Sequence, residues 1–524
     1  MGQRVFVLDT TLRDGAQSEG INFSLSDKLG TVMLLDNLGF SYIEAGIPAS
    51  NPKDVEFFEK SKTMQLTNSK IVAFGLTRKK DETCEKDVAL GALVAAGTEI
   101  VAVVGKCSAF QVKNVLMATR EQNIEMIRDT VEYLVKKGKQ VFFDAEHFFD
   151  GYEEDSAYAL DCLSAAVEAG SETLVLCDTN GGKTPDEVKT IVGAVVKRFG
   201  TVRIGTHFHN DAGLAVANSL AAVEAGAYDV QGTFLGIGER CGNTNLSSLV
   251  PTLQTKFGLD VVSKQSLSLF TRTAYHLSEI CNTVVPANAP YVGSSAFSHK
   301  GGMHIDGVVK TPKAFEHIAP EEVGNTRKIL LSEVAGKSAV AAKLGKINPE
   351  FVKDESNVDK ILARLKQLEY EGYQYESASA SFELMSLREL SLMKDFFTLL
   401  SYKIIGERSL EAGRRSSLAV VKISVDGAVE LCAAEGDGPV HALDISLRTA
   451  LSKFYPSLSK THLIDYKVRV ISPEDATASK VRVLIDTTDG DAVFTTVGVS
   501  ADIIDASFKA ITDSVSYSLY KNKN

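Results

Sequence analysis

The sequence lacks the features that would assign the protein to a membrane or to a nucleic acid. No run of about 18 apolar residues occurs, and the mean hydropathy is +0.01, so a membrane-spanning helix is excluded. Basic residues do not predominate, because 56 lysines and arginines stand against 67 aspartates and glutamates, a net charge of −11 over 524 residues. Nucleic-acid partners usually require a basic surface, so we do not expect one.

Paired cysteines and a signal peptide are also lacking. The seven cysteines are odd in number and scattered, and no CxxC pair occurs. This usage argues against a disulfide framework or a zinc ribbon and predicts a cytoplasmic protein. The first apolar run is short and ends at Asp9. It therefore predicts a strand rather than a secretory signal.

What the sequence does contain, from residue 1 to about 255, is one repeated pattern: a short apolar run, a polar turn and a helical stretch. The runs are rich in Val and Ile, as strands buried on both faces should be. Eight such units predict an α/β fold, a parallel (β/α)₈ TIM barrel. An open doubly wound sheet is the alternative. The predicted strands are 5–9, 42–46, 71–75, 100–104, 140–144, 173–177, 202–206 and 228–233, and the clearest helices are 27–38, 121–137, 155–169 and 211–225.

After the barrel the pattern becomes helical and then changes again. The stretches 265–281, 332–345 and 357–369 have helical spacing, whereas 371–380 is polar and is expected to be an exposed linker. From about residue 396, three strands and a helix occur twice, which predicts an α+β domain of two βββα units. Glycine-bounded loops are expected at 436–439 and 497–500. The predicted domains are 1–270, 271–393 and 394–524.

Polar and charged residues follow several predicted strands of the barrel. In this fold, active sites are built where the carboxyl-terminal ends of the strands meet. These residues are Thr10, Arg13 and Asp14 after strand one, Glu44 in strand two, Glu146 and His147 after strand five, Asp178, Thr179 and Asn180 after strand six, His207 and His209 at strand seven, and Glu239, Arg240 and Asn243 after strand eight.

Two of these histidines are suited to a metal ion. His207 and His209 are two residues apart on an extended segment, so both imidazoles point the same way. Asp14 is the natural third ligand, because only strand eight separates strands one and seven in a closed barrel, and such a set leaves positions open for substrate. Asn210 and Asp211 are candidates to support the imidazoles. The alternatives are polar residues at the barrel rim and, for Asp14, a turn residue.

Three further side chains are candidates for acid–base or substrate-binding roles. Glu44 lies in an apolar run and is costly to bury unpaired, so we predict Arg13 as its partner. Arg13 could also bind a carboxylate or an oxyanion. Glu146 could act as an acid or base, or be a surface acid. Thr179 could donate to a substrate carboxylate or cap the next helix.

Two glycine-containing segments remain. Residues 236–243 (GIGERCGN) suit close approach to a ligand, but the dinucleotide fingerprint GxGxxG is absent because position 241 is Cys. Residues 294–307 place His299, His304 and Asp306 among glycines on a predicted loop, a setting typical of function. A connector with incidental histidines is the alternative.

The motifs TLRDGAQ, IEAGIP, THFHND, GIGERCGN and FSHKGGMHIDG resemble the α-isopropylmalate, citramalate and homocitrate synthase family, in order and over essentially the whole chain. DAEHFFDGY and CDTNGG look most like the long-form citramalate synthases. The resemblance implies a condensation of acetyl-CoA with a 2-oxo acid that depends on Mg²⁺, Mn²⁺ or Zn²⁺. The implied acid is pyruvate, with 2-oxoisovalerate as the alternative.

The resemblance also implies roles for individual residues. The implied metal ligands are Asp14, His207 and His209, with Asn243 as a ligand or a support. The implied catalytic and substrate-binding residues are Arg13, Glu44, Glu146, Thr179 and His304. Both His304 and Glu146 are candidates for the base. Where the family commonly has Ser-Gly-Ile-His, this sequence has Gly301-Gly302-Met303-His304.

The region from 394 resembles the family's feedback domain. This implies a homodimer with isoleucine as its inhibitor. A carbon–carbon lyase is a competing class, but lyases of this superfamily resemble the barrel alone. A catalytically inactive amino-acid sensor is another, against which the intact Arg13, Asp14, His207 and His209 argue.

Overall fold

The computed structural model describes residues 4–330, 336–408, 415–471, 479–490 and 492–522. The chain divides into two compact units, Met1–Phe297 with Ile318–Arg327, and Ser298–His317 with Lys328–Asn524. In the described ranges no helix is long and apolar enough to cross a membrane.

The first unit is the predicted (β/α)₈ barrel. Its eight parallel strands close in sequence order, with β8 paired to β1. The strands are β1 (Phe6–Asp9), β2 (Tyr42–Glu44), β3 (Lys70–Leu76), β4 (Ile100–Lys106), β5 (Gln140–Glu146), β6 (Thr173–Asp178), β7 (Arg203–Phe208) and β8 (Asp229–Gly232). The open-sheet alternative is therefore wrong.

Eleven helices belong to this unit in the described residues. They are α1 (Leu25–Asn37), α2 (Pro52–Ser61), α3 (Val88–Ala95), α4 (Ala109–Asn114), α5 (Arg120–Lys136), α6 (Phe148–Glu168), α7 (Pro185–Phe199), α8 (Ala215–Glu224), α9 (Leu246–Thr255), α10 (Lys264–Leu267) and α11 (Phe270–Ile280). Helix α6 begins at Phe148 rather than at 155, with Asp155 in a non-helical conformation inside it. Sequence-local caps explain several starts, such as the capping boxes at Ser24 and Thr119.

The continuous apolar strands supply two separate cores. Val72, Ile100 and Phe142 belong to a small cluster inside the barrel. Their strand neighbours Val101 and Phe143 belong to the larger cluster between strands and helices. This alternation follows from the two-residue period of a strand, and the filled interior closes the barrel below its carboxyl-terminal mouth.

The second unit contains short helices followed by two sheets. Its elements are β9 (Ser298–His299), α12 (Gly302–Lys310), β10 (Lys328–Ile329), α13 (Lys337–Ile347), α14 (Glu355–Glu371), α15 (Ser379–Glu389), β11 (Thr398–Arg408), β12 (Arg415–Val425), β13 (Ala428–Gly436), α16 (Pro439–Ser452), β14 (His462–Val470), β15 (Val481–Thr488), β16 (Val493–Ser500) and α17 (Ile503–Lys521). Part of the predicted helix 332–345, residues 332–335, lies outside the described residues.

The expectation of an exposed linker at 371–380 is wrong. Tyr375 and Ala378 are buried, and α15 begins at Ser379. Tyr375 and Ala378 pack in one apolar cluster with residues of α14 and with Val497 of β16. The segment is polar on average, but its aromatic and small residues reach the core between exposed neighbours.

The two predicted βββα units are present. Each is a three-stranded antiparallel sheet, β11-β12-β13 and β14-β15-β16, with a helix following in sequence. The loop expected at 497–500 is wrong, because β16 continues to Ser500. Position 498 in this strand requires glycine because α17 packs closely against it. A Cβ there would be 2.0 Å from the Ala506 carbonyl oxygen. The domain boundaries at 270/271 and 393/394 stay predictions.

Candidate metal centre and active site

The carboxyl-terminal mouth of the barrel holds a pocket of about 310 Å³. The strands deliver their final residues to this one place, as the fold requires. Six of the residues implied as metal ligands or as catalytic and substrate-binding groups line it: Arg13, Asp14, Glu146, Thr179, His207 and His209. Other lining residues are Phe74, Leu76, Val104 and Asp144.

Asp14, His207 and His209 form a compact buried cluster. Each offers a ligand atom, and these atoms all lie within 4.8 Å of one another. Asp14 Oδ2 is 3.2 Å from His207 Nε2. Burial alone would raise the pKa of Asp14, but Arg13 and His207 more than offset it and hold that pKa well below the usual range. Burial lowers the pKa of His209 to about 4, which favours the neutral imidazole that binds metals.

Asn243 joins this cluster through the backbone. The loop after β8 pairs with the end of β7, since His209 and Asn243 form an antiparallel bridge. The Asn243 Nδ2 lies 3.0 Å from Asp14 Oδ2 and 3.1 Å from His207 Nε2. Among the described residues, the buried His209 Nδ1 and Asn243 Oδ1 accept or donate no hydrogen bond.

These unpartnered atoms fit a divalent cation. Buried polar atoms are nearly always hydrogen-bonded, so His209 Nδ1 and Asn243 Oδ1 need an explanation. A half-turn of the Asn243 amide would exchange Nδ2 for Oδ1 beside Asp14 and His207. Two imidazoles, a carboxylate and an amide oxygen then form a donor set that suits divalent metals.

Gln231 supports the metal cluster in a way the sequence did not reveal. Its Oε1 lies 2.9 Å from His207 Nδ1, and its Nε2 donates to Asp144 Oδ1 at 3.3 Å. An amide oxygen can only accept, so Nδ1 of His207 carries a proton and Nε2 is the ring nitrogen that a metal ion could take. The one hint of this contact in the sequence is an amide residue, Gln231, inside the predicted strand YDVQGT.

The supports predicted for the imidazoles are wrong. Asp211 accepts hydrogen bonds from Arg240 at 2.8 and 3.0 Å, and Asn210 Oδ1 accepts from the Ala215 backbone at 3.2 Å. Both side chains fix loop geometry instead of contacting His207 or His209.

The predicted contact between Arg13 and Glu44 is present. Arg13 donates from Nε and Nη2 to the Glu44 carboxylate at 2.9–3.1 Å, and its guanidinium lies 4.0 Å from the centre of the Phe74 ring. Glu44 is fully buried, and Arg13 Nη1 lies 3.4 Å from Asp14 Oδ2. The planar cation is thus fixed between two carboxylates beside the pocket.

Thr179, which follows β6, contacts the chain reversal that comes directly after Glu146. His147 has a φ of +56°, in the left-handed region, and its N–H donates to Thr179 Oγ1 at 2.9 Å. This strained residue turns the chain directly into α6. Thr179 does not cap the next helix, because Thr184 occupies that position. Glu146 pairs with Lys106 and is only 25% exposed, so it is not a free surface acid.

The glycine-rich loop lies tightly against the cluster. Gly236 and Gly242 have positive φ, as does Arg240. A Cβ on Gly238 would lie 1.8 Å from Asn243 Oδ1, so only glycine lets the loop approach this residue. Glu239 and Arg240 line the pocket from this loop.

The second unit contains His299, His304 and Asp306, and the loop expected over 294–307 is wrong over much of its length. His299 is in β9 and pairs with Glu316 at 3.0 Å, whereas His304 and Asp306 are on helix α12. His304 is exposed and stacks on Phe315 with ring centres 4.3 Å apart. The predicted catalytic role of His304 stays a prediction.

Three family models together cover most of the chain. The HMGL-like model matches residues 4–283, a model described as homocitrate synthase post-HMGL domain-like matches 291–372, and the LeuA allosteric (dimerisation) domain matches 376–519. The chain therefore belongs to the HMGL-like family.

Comparison with curated proteins shows which members of this family the chain resembles. The chain is 46% identical to the (R)-citramalate synthase of Aquifex aeolicus, over 100% of this chain and 99% of the relative. It is 43% identical to the (R)-citramalate synthase of Geobacter sulfurreducens, over 99% and 98%. The probable 2-isopropylmalate synthase of Methanopyrus kandleri is more distant, at 32% identity over 98% of both chains. The resemblance found from the motifs is confirmed.

Proposed function

We propose that the protein condenses acetyl-CoA with pyruvate and hydrolyses the thioester, which makes (R)-citramalate and free CoA. The observation that carries this proposal is the match to five (R)-citramalate synthases at 41–46% identity over nearly their whole length. The pocket at the barrel mouth is consistent with it, because the metal-type cluster, Arg13 and a candidate base lie there together.

Asp14, His207 and His209, with Asn243 as ligand or support, would hold a divalent cation. Bound there, the cation supplies Lewis-acid polarisation of the 2-oxo acid. Arg13 stabilises the negative charge that develops on the former keto oxygen, with Glu44 fixing the direction of its donors. Since Arg13 is already held in place, little reorganisation accompanies the reaction.

Removal of a proton from the acetyl methyl group requires a base. Glu146 is the candidate that lines the barrel pocket, and His304 of the second unit is the other. Thr179 Oγ1 accepts a hydrogen bond from His147 N–H, which leaves its hydroxyl proton for a substrate carboxylate. The carbanion adds to the keto carbon, and hydrolysis then releases CoA.

Pyruvate is the preferred acid in this proposal because Phe74, Leu76 and Val104 stand on neighbouring strands beside Asp144 in a small pocket. One extra methylene is worth about 1–3 kcal/mol in an apolar pocket, so rejection of larger acids should be partial unless a clash adds to it. The test is release of CoA thiol from acetyl-CoA with pyruvate, 2-oxoisovalerate and 2-oxoglutarate. A higher kcat/KM with 2-oxoisovalerate would transfer the protein to isopropylmalate synthesis.

The second part of the proposal is a homodimer inhibited by isoleucine. A citramalate route leads to isoleucine, and residues 376–519 match a domain described as allosteric and dimerising. In the sheet β11-β12-β13, Ile405, Val429 and Leu431 are exposed at 44–60%. In the other sheet, Val497 and Val499 pack against helices. The open apolar face is suited to a second copy of the chain.

A further inference from the structure

We propose that Lys106 is a positioning residue that fixes the Glu146 carboxylate at the mouth of the pocket. This inference rests on the proposed role of Glu146 as the base. Lys106 itself is assigned no contact with substrate, and its effect on the reaction passes through Glu146.

The two side chains are brought together by strand register. Lys106 ends β4, Glu146 ends β5, and the two are direct partners in the parallel ladder. Side chains at paired positions of neighbouring strands point to the same face of the sheet, so the ammonium group of Lys106 lies beside the carboxylate of Glu146. Lys106 Nζ lies 2.5 Å from Glu146 Oε2, with the side chains 18% and 25% exposed.

The backbone on both sides of this pair is anchored. Asn123, fully buried on α5, donates from Nδ2 to the Lys106 carbonyl at 2.9 Å and also to Tyr158 Oη at 2.9 Å. The Cys107 N–H donates to the Glu146 carbonyl at 2.9 Å. These backbone hydrogen bonds fix the Cα positions of Lys106 and Glu146, while the ion pair fixes the position of the Glu146 carboxylate.

The proposed reaction depends on the position of the Glu146 carboxylate. Glutamate is a flexible side chain whose ordering costs entropy, and a proton acceptor must lie within about 2.6–3.2 Å, in heavy-atom distance, of its donor. Asp144 lies two residues earlier on β5 and lines the same pocket, so the strand directs both acidic side chains to the pocket. Without the ammonium group, the flexible Glu146 side chain would be free to turn away from the pocket.

The test compares Lys106→Met and Lys106→Arg in the full-length enzyme. Lys106→Met should lower kcat about ten- to a hundredfold, the scale expected for a displaced catalytic group, with little change in either KM. Lys106→Arg, which keeps the cation, should recover most of the loss. With methyl-deuterated acetyl-CoA, the isotope effect on kcat should rise in Lys106→Met, because proton removal has slowed. Lys106→Gln serves if the Met variant fails to fold.

A matched control is available at the other end of the barrel. Lys70 Nζ pairs with Glu99 Oε1 at 2.7 Å, and both side chains are about half exposed. Lys70→Met also removes an ion pair from the barrel but lies at the start of β3. It should leave kcat and the isotope effect unchanged.

The decisive comparison is a double-mutant cycle. In a Glu146→Gln background, Lys106→Met should cause no further loss, because the group through which Lys106 acts is gone. Additive losses, or a rise in KM for acetyl-CoA at constant kcat, would overturn the positioning role. Full activity of Glu146→Gln would overturn it as well. The synthase assignment fails separately, and only if the unaltered enzyme makes no citramalate.

Discussion

The Arg13 guanidinium and the Glu44 carboxylate form a buried, forked ion pair, with Nε and Nη2 donating at 2.9–3.1 Å. Nη1 instead lies 3.4 Å from Asp14, a member of the metal-type cluster. The guanidinium of Arg13 is therefore fixed between the Glu44 carboxylate and the cluster. Glu44 also offsets the cost of burying the charge on Arg13.

Replacing Arg13 by lysine should lower kcat by about 10²–10³, the usual effect of losing one oxyanion donor. A lysine ammonium cannot fill the fork of Glu44 and reach the substrate oxygen at once. Steady-state kinetics with pyruvate would measure the loss, and thermal unfolding would verify the fold. Activity within a few-fold of the unaltered enzyme would contradict the role given to Arg13.

The His207→Ala and His209→Ala variants should lose both bound metal and turnover. The barrel core does not depend on the ion, so the unfolding temperature should change little beyond the loss of ligand binding. Elemental analysis after dialysis gives the metal content, and a chelator followed by Mg²⁺, Mn²⁺ or Zn²⁺ tests reversibility. His276→Ala, on exposed helix surface, is the control. Full activity after chelation would reject the metal centre.

Asp229 predicts a pH dependence of stability. Burial raises the pKa of its carboxyl group from 3.8 to about 7, although Arg203 lies 3.4 Å away and opposes the shift. Below pH 4 both states hold the proton. Between pH 4 and 7 only the folded state does, so the free energy of unfolding falls as pH rises through this window.

The Asp229→Asn variant should make that slope shallower, while the buried Asp9 and Asp144, whose pKa values are also raised to about 7, keep part of it. At pH 7.5 we expect it to be more stable by about 1–3 kcal/mol, because no buried charge remains. Activity should not change, since Asp229 begins β8 at the end of the barrel opposite the pocket. Denaturant unfolding at pH 5 and 7.5 measures the effect. An unchanged slope, or a variant less stable at both values, would count against it.

Isoleucine should inhibit the enzyme, which we propose to be a dimer, more strongly than leucine or valine does. Such inhibition requires different affinities in two states, a coupling typically worth about 1–3 kcal/mol. A charge placed on the exposed face by Leu431→Asp should give a monomer with weaker inhibition, whereas Val88→Asp on the barrel, at 81% exposure, should not. Light scattering and inhibitor titration measure these outcomes. Equal inhibition of both variants would exclude the proposed surface.

Truncation after Tyr370 is a poorer test of regulation than a point variant. The apolar face of α14, including Ile361 and Leu365, packs in one cluster with Tyr375 and Phe382. Cutting the chain there would expose this face. Loss of inhibition could then reflect unfolding of the helices rather than removal of an effector site.

The sequence predicted those features that depend on short spacing. Alternation along a strand placed His207 and His209 together, and barrel closure brought Asp14 beside them. The buried charge of Glu44 required a partner, and Arg13 was the nearest candidate. Each inference needed only a local period and the order of strands.

Features that depend on lateral register or distant packing were not predictable in this way. Gln231 reaches His207 from the neighbouring strand, and Lys106 reaches Glu146 because their strands end together. Gly498 resembled a loop residue, but it lies in a strand closely approached by a helix. Tyr375 looked exposed because its neighbours are polar, although the helices and a sheet bury it.

The central claim is tested most directly by incubating the purified enzyme with acetyl-CoA, pyruvate and a divalent cation. We predict stoichiometric release of CoA thiol and formation of (R)-citramalate, identified by chiral chromatography. The kcat/KM for pyruvate should exceed that for 2-oxoisovalerate. No CoA release with pyruvate, together with efficient turnover of 2-oxoisovalerate, would contradict the account.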